Sequence, residues 1–368
     1  MERKDALKLQ YKFDKCYICG KLLKESEKPF HQCSHCQHIS LKKRELFLSR
    51  SDVLAGYIVL VTGGRIKIGY ETSLALLRKG ATVVITTRFP VDAASRYGQE
   101  ADFQEWADRL MIYGIDFRNI PKVEEFISIL KEKLPYLDII INNAAQTIAR
   151  PEEYYEHLRS LEKKDLKFLS VKEQCVLQNV IAYTKDKSCV SYPVNIDDDG
   201  FLMDFRPRNS WTSKAWDVST KEILEVQLVN VTAPFLFVSR LVDLMRKSTR
   251  ERRFIVNVSS MEGQFAKRNK NAFHPHTNMA KAALNMLTRT IADDYQKLGI
   301  YVNSVDTGWV TDENPYSIRK KNLSKGFTPP LDAVEGASRV CDPFLSYLEE
   351  NKEPYYGKFL KNYKNVNW

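Results

Sequence analysis

Four cysteines near the start of the chain, Cys16, Cys19, Cys33 and Cys36, fall in the spacing C-x2-C-x13-C-x2-C, while Cys175, Cys189 and Cys341 lie scattered. Each C-x2-C knuckle can turn two thiolates toward one centre, and four thiolates complete a tetrahedral Zn2+ shell with no position left for water. The chemistry expected here is structural, not catalytic. His31, His35 and His38 lie nearby and read as bystanders to a full shell. So short a segment buries too little apolar surface to fold unaided, so the metal is expected to hold it together. Free-thiol turns or disulfides are the alternative, and a reducing compartment disfavours the latter.

A second stretch with chemical content is Thr62-Gly63-Gly64-Arg65-Ile66-Lys67-Ile68-Gly69. It follows the aliphatic run Tyr57–Val61 and precedes a helical pattern through Leu74, Leu76 and Leu77 that Gly80 stops. Strand, glycine turn and helix together let a backbone approach a pyrophosphate, with free N–H groups of the helix N-terminus aimed at it. The next strand, Ala81–Thr86, runs into Thr87 and Arg88, where a site preferring NAD would carry an acid for the ribose 2′-hydroxyl. A guanidinium there suits a 2′-phosphate, so NADP is expected over NAD. Arg88 as a merely structural surface residue is the alternative.

These groups need a frame. Met111–Asp116 and Leu137–Ala145 read as third and fourth strands, with helical patterns between them, so the order βαβαβαβ predicts a parallel sheet. Phe254–Val258 and Ile300–Val305 read as strands five and six, Ala282–Leu298 as an amphipathic helix, and Gly357–Leu360 as the last strand. Residues 312–350 are expected over a substrate cleft.

Thr62–Gly69, Asn142-Asn143-Ala144-Ala145, Asn230 in Val229-Asn230-Val231, Ser260 in Val256-Asn257-Val258-Ser259-Ser260, and the helix carrying Lys281 resemble the short-chain dehydrogenase/reductases in order and spacing over roughly residues 53–368. The resemblance implies a doubly wound α/β Rossmann domain of seven parallel strands that binds NAD(P)(H). It gives cofactor-loop roles to Gly63 and Gly69, and with them to Thr62, Gly64, Arg65, Lys67 and Ile68. Asp116 is expected against the adenine, Asn142 and Ala144 in the wall of the site, and Gly308, Val310 and Thr311 in the nicotinamide-facing loop. It makes Ser260 the donor to a substrate carbonyl, Lys281 the ribose binder, and Asn230 a water-chain and helix-positioning residue. A homo-oligomer is implied as well.

Three departures stand out. Lys67 replaces the middle glycine of the turn, where it offers charge to phosphates or substrate but crowds the backbone. Thr307 replaces a proline ahead of Gly308, leaving that loop less stiff. Thr277 stands where the family keeps the tyrosine that moves the proton. A phenol near pKa 10 responds to a neighbouring ammonium, whereas an aliphatic hydroxyl is too weak an acid to be rescued. His274, ahead of Pro275 and His276, is the substitute acid ranked first, because imidazole titrates near neutrality and Pro275 fits a first helical position. A water relay through Thr277 to Lys281 is the other route.

Between Ala145 and Asn230 the chain is far longer than one crossover helix requires. The insert, about residues 147–222, opens with a charged helical stretch, Glu152–Leu169, and reads as a lid or substrate wall, or as an interaction surface. Tyr154, Tyr155, Tyr183 and Tyr192 are more readily packing residues than returned phenols. Asn195–Gly200 imitates the start of a calcium loop, but Arg206 occupies the position of the required acid.

The division expected is a zinc-binding module and basic linker over residues 1–50, then a Rossmann domain over 51–368. The formal net charge is +10, and residues 1–55 carry 12 Lys/Arg against 7 Asp/Glu. This bias reads as a solvated lysine-rich face, so nucleic acid is not expected as a partner. No apolar run approaches a membrane span and Met1–Asp5 lead into no apolar core, so a cytoplasmic protein without a membrane is expected. The function expected is an NADP(H)-dependent oxidoreductase acting on a small organic substrate with a nonstandard proton donor. The alternative is an NADP-binding scaffold or sensor that recruits a protein partner through the zinc module or insert.

Overall fold

The computed structural model describes residues 14–163, 174–180, 196, 201–267 and 270–368. Aliphatic runs without alternation belong to strands covered on both faces, and β1 (Ile58–Thr62) is buried at all five positions. The others are β2 (Thr82–Thr87), β3 (Leu110–Gly114), β4 (Ile139–Asn142), β5 (Leu177–Val180), β6 (Arg253–Ser259), β7 (Ile300–Asp306), β8 (Phe359–Lys361) and β9 (Lys364–Val366). They form one sheet in the order β5-β3-β2-β1-β4-β6-β7-β8-β9. Each neighbouring pair is parallel except β8–β9.

Nine strands among the described residues correct the expected seven. β5 comes from the insert and pairs with the outer edge of β3, and β9 folds back on β8 as an antiparallel hairpin. Strands of three or four residues carry too little periodicity to announce themselves. Tyr183, Tyr192 and the calcium-like stretch lie outside the described residues, apart from Ile196, which bridges to Leu202.

The pleat sends alternate side chains into two cores. Val59, Val61, Val83, Ile85 and Val256 face α2 (Lys67–Arg78), α3 (Pro90–Gly98) and α11 (Ala333–Glu350). Ile58, Leu60, Val84, Ile255 and Val302 face α4 (Ile120–Lys133), α7 (Ala233–Arg240) and α8 (Val242–Arg246). On this second side α9 (Pro275–Lys297) also lies along β7. Helix α9 begins seven residues before the apolar pattern from Ala282, because Pro275 pre-sets the first turn. Of residues 312–350, α11 lies on the first face against α2, so only α10 (Tyr316–Ser324) and the segments flanking it remain near the carboxyl edge.

The cysteine-bearing segment is joined to this body by α1 (Ser34–Leu48). Phe47 is 1% exposed and enters the first core. Lys43 pairs with Asp342 at 2.7 Å and with Glu350, Arg44 Nη1 donates to both carboxylate oxygens of Asp332, and Lys79 donates to Leu46 O, Ser49 O and Glu349. Fully burying a side chain such as Phe47 contributes about 1.5–3 kcal/mol, and the half-buried ion pairs fix its register. Within the insert, the helical stretch expected from Glu152 begins as a 3-10 turn, Glu152–Tyr155, and continues as α5 (Glu156–Glu162), while residues 164–169 lie outside the described residues.

One helical run, Thr220–Arg240, is long and apolar enough to cross a membrane by length and composition. It comprises α6 (Thr220–Gln227), a π-helical turn and α7, and it packs against α4 and α9 within the second layer.

Candidate functional site

The chain leaves β1 outward to β2 and β3 and returns to β4 on its other side, so the strand order reverses between β1 and β4. Ligands of open α/β sheets bind in the crevice at that reversal. Here the Thr62 hydroxyl accepts from Asn143 N and Ala144 N, both at 2.9 Å, which locks the two strand ends together. Asn143 Nδ2 reaches Thr62 O and Gly63 O at 3.0 and 3.2 Å, a prop for the turn that the sequence reading did not single out. Gly63 takes φ +73, and a Cβ on Gly69 would stand 2.1 Å from Gly63 O, so both glycines are sterically required. Lys67 holds the left-handed φ of +53 despite its side chain, and its Nζ lies 3.8 Å from Glu313 Oε1. Ile68 and Val310 meet over Gly336. Asn142 is buried and donates to Asn257 Oδ1 at 2.8 Å. It braces β4 against β6.

At the end of β2, Thr87 accepts from Phe89 N and Arg88 stacks 4.4 Å over the Tyr155 ring of the insert. Arg65 is 4% exposed, bonds Asp92 at 2.6 Å and lies 4.7 Å over Phe201. Its buried Nη2 has no hydrogen-bond partner among the described residues. A buried, half-satisfied guanidinium is costly unless an anion completes it. The insert also delivers an acid: Glu162 accepts from Val91 N and Asp92 N at the start of α3, and burial raises its carboxyl to about 7. Asp92 and Glu162 are thus acids near the basic pair that the local sequence gave no sign of. Asp116 is half-buried and gripped by Arg118, which holds its carboxyl below the usual value against the opposing effect of burial.

The third group lies where β6 meets α9. Ser260 opens the turn Met261–Gly263 and accepts from Glu262 N at 3.3 Å. A Cβ on Gly263 would stand 2.6 Å from the Lys281 carbonyl carbon, so this turn lies directly on α9. Lys281 Nζ donates to Val258 O at 2.7 Å, and burial lowers its ammonium to about 8. Asn230 sits in the π-helical turn Leu228–Thr232 and makes paired bonds to Gln146 N and O, at 2.7 and 3.1 Å, tying this helix to the segment after β4.

Thr277 and His274 lie together at the start of α9, with Pro275 in its first turn and His274 on the cap side as expected. The Thr277 hydroxyl donates to His274 O at 2.8 Å, closing the first turn of α9. His274 takes φ +41, stacks on Trp211 with ring centroids 4.0 Å apart, and places Nδ1 2.9 Å from Asn278 Oδ1. Burial pulls its imidazole down to about 4. Burial favours the uncharged ring over the imidazolium. His276 instead faces Glu222, with Nε2 at 3.1 Å.

After β7, Gly308 takes φ +78 and Arg339 donates to Thr307 O at 2.9 Å. Thr311 bonds Glu313 at 2.6 Å. In the cysteine segment, the Sγ atoms of Cys16, Cys19, Cys33 and Cys36 all lie within 4.8 Å of one another. Cys19 and Cys33 are 3.8 Å apart, which is the edge of a tetrahedron with metal–sulfur bonds of about 2.3 Å. The cluster fits Zn2+.

The short chain dehydrogenase family matches residues 57–164 and the Enoyl-(Acyl carrier protein) reductase family matches 206–327. The chain is 34% identical over 348 residues to protein R665 of Acanthamoeba polyphaga mimivirus, spanning 90% of this chain and 71% of that protein. Over 88 residues it is 34% identical to (+)-neomenthol dehydrogenase of Capsicum annuum, spanning 23% and 27% of the two chains. A short chain dehydrogenase of Burkholderia cenocepacia J2315 solved in complex with NADP has the same fold, with TM-score 0.55 and 19% identity over 85% of this chain and 97% of that one. An Escherichia coli CFT073 short chain dehydrogenase complexed with NADPH gives 0.54 and 18%, over 84% and 98%.

Proposed function

The chain belongs to the short-chain dehydrogenase/reductase family, and from that premise we propose that it is an NADP(H)-dependent oxidoreductase acting on a carbonyl/alcohol or related bond of a small organic molecule. The observation that carries the reading is the basic, incompletely satisfied end of the glycine cradle. Arg65 Nη2 is buried without a hydrogen-bond partner among the described residues and Arg88 lies at the end of β2, a donor set suited to a phosphate monoester. When bound, the nicotinamide supplies or takes the hydride.

The chain's own residues would do the rest. The Ser260 hydroxyl, at the carboxyl end of β6, donates to the acceptor oxygen. Lys281 holds the ribose, and its ammonium near 8 matches proton supply at neutral pH better than His274 near 4. The proton passes by water along Thr277, which stands one turn before Lys281 on α9. Asn230 holds the helix and the post-β4 segment in register. His274 positions the start of α9. The cysteine cluster carries one zinc ion in a structural role, so reduced, freshly purified protein should contain about one equivalent of zinc per chain.

A second reading is a dinucleotide-binding scaffold or sensor with no turnover. It is favoured by the commitment of the Thr277 hydroxyl to His274 O, at a position with no phenol. The test is calorimetry with NADPH and NADH, followed by transfer from C4-deuterated NADPH to a panel of aldehydes, ketones, imines and enones. Stereospecific transfer supports the oxidoreductase, and binding without transfer supports the scaffold. Failure to bind either nucleotide removes both.

A further inference from the structure

The Tyr17 phenol leaves the first cysteine knuckle and accepts a hydrogen bond from the Trp309 backbone N–H at 2.7 Å. The two residues are 292 positions apart in sequence. Trp309 belongs to the segment leaving β7, and the β6–β7 register places Ser259 opposite Asp306, so this segment stands beside Ser260 at the carboxyl edge of the sheet. The segment is also tied by Gly308 N to Asp306 Oδ1 at 3.3 Å, Arg339 to Thr307 O, the Trp309 indole to Thr311 O, Thr311 to Glu313, and the Trp309 ring to Phe327 with centroids 4.9 Å apart, but the acceptor of the Trp309 backbone N–H is Tyr17. Gly308 closes this corner: a Cβ there would lie 2.5 Å from Arg339 Nη1 and Leu331 Cδ1 and 3.3 Å from the Tyr17 oxygen, and the +78° φ would strain most other residues.

At the other end Tyr17 is held by the knuckle. It follows Cys16 directly, its N–H reaches His31 O at 2.8 Å, and Gly20 N returns to Cys16 O at 2.9 Å. These turns have little core of their own beyond the cysteines, Ile18 and Leu23. Their order depends on convergence of the four thiolates, which a bound metal enforces.

We propose that Tyr17 is a positioning residue for the dinucleotide site, through which the metal-ordered knuckle holds the 306–311 segment, so that metal occupancy of the cysteine cluster sets the affinity for the nicotinamide end. This rests on the dinucleotide reading given above. The adenosine end, built by Arg65 and Arg88 at the far side of β1, does not share the contact.

The test is Tyr17→Phe in the full chain, which keeps the ring and removes the oxygen. Zinc content and the affinity for 2′,5′-ADP, a probe confined to the adenosine end, are expected to stay as in wild type. NADPH should bind about 3- to 10-fold more weakly, the factor that one lost hydrogen bond carries. Amide exchange over 306–311 should accelerate. Stripping the metal from wild type with a chelator should weaken NADPH by a similar factor, with little further loss in Tyr17→Phe. Unchanged NADPH affinity in Tyr17→Phe, or an equal loss for 2′,5′-ADP, overturns the proposal. If chelation unfolds the chain, Tyr17→Phe alone decides. Wild type that binds neither probe removes the dinucleotide reading itself, whereas a silent Tyr17→Phe in a chain that binds NADPH removes this inference alone.

Discussion

Protonating His274 should destabilise the fold, and by an amount that can be stated in advance. The ring is 2% exposed, stacked on Trp211, and bonded to Asn278, with Lys267, Lys270 and His276 adding repulsion to any charge it gains. Its folded value of about 4 lies below the 6.5 of the free side chain. As pH falls from 6.5, the unfolded chain therefore takes the proton first. Stability is complete above that value and is lost progressively toward pH 4. Linkage converts the difference into about 2 kcal/mol lost between pH 7 and pH 5, rising to about 3 kcal/mol below pH 4. Urea unfolding at pH 7 and pH 5 would measure it, in wild type and in His274→Asn, since asparagine tolerates the +41° φ. Carboxylates and the other histidines contribute equally to both proteins. Only the difference in pH dependence counts, so any pH-independent cost of the substitution drops out. If the two proteins lose the same stability between the two pH values, His274 is not buried neutral and the assignment of proton supply to Lys281 loses its main support.

Three further outcomes are expected. Arg88→Ala should weaken NADPH about 10- to 100-fold by calorimetry and leave NADH nearly unchanged, as removal of a charged hydrogen bond to a phosphate demands; an equal loss for both would place the 2′-phosphate elsewhere. In the reductive direction, turnover should fall as pH rises through about 8, where Lys281 gives up its proton, and a rate constant flat to pH 9.5 would exclude its ammonium as the acid. Phe235 and Met286 stand 47% and 57% exposed on an apolar groove shared by α7 and α9; wild type should be at least dimeric through this face by light scattering, and the double change to Asp should give monomers, whereas monomeric wild type at micromolar concentration would refute the pairing.

What could be read from the sequence was what local chemistry announces. The glycine turn, the β-branched runs of β1, β2, β4, β6 and β7, and the paired cysteine knuckles all lie within windows of a few residues. Pro275 marked the start of α9 in the same way. What stayed hidden depends on contacts across long stretches of chain. Nothing near Glu162 says that its carboxylate will cap α3, and nothing near Tyr17 says that its phenol will meet Trp309. His274 shows the cost most directly: a histidine before a helix-starting proline looks like a free imidazole until Trp211, 63 positions away, covers it. Burial, which decides its protonation, is a tertiary property that neither residue type nor spacing encodes.

The insert has the same lesson for the site as a whole. Its early part stacks Tyr155 on Arg88, seats Glu162 on α3 and buries Leu158, all at the end of β2. Its later part stacks Trp211 on His274, gives Ser213 O to His274 N at 2.8 Å, and joins Asn209 to Glu313 O at 2.9 Å, all beside α9 and the segment after β7. An exposed loop would leave such side chains in water, yet Asn209 and Ser210 are 4% and 3% exposed. The described parts of the insert therefore form walls of both ends of one crevice. A dinucleotide reaching from Arg88 to Lys281, as proposed, would be bordered by the insert at both its ends.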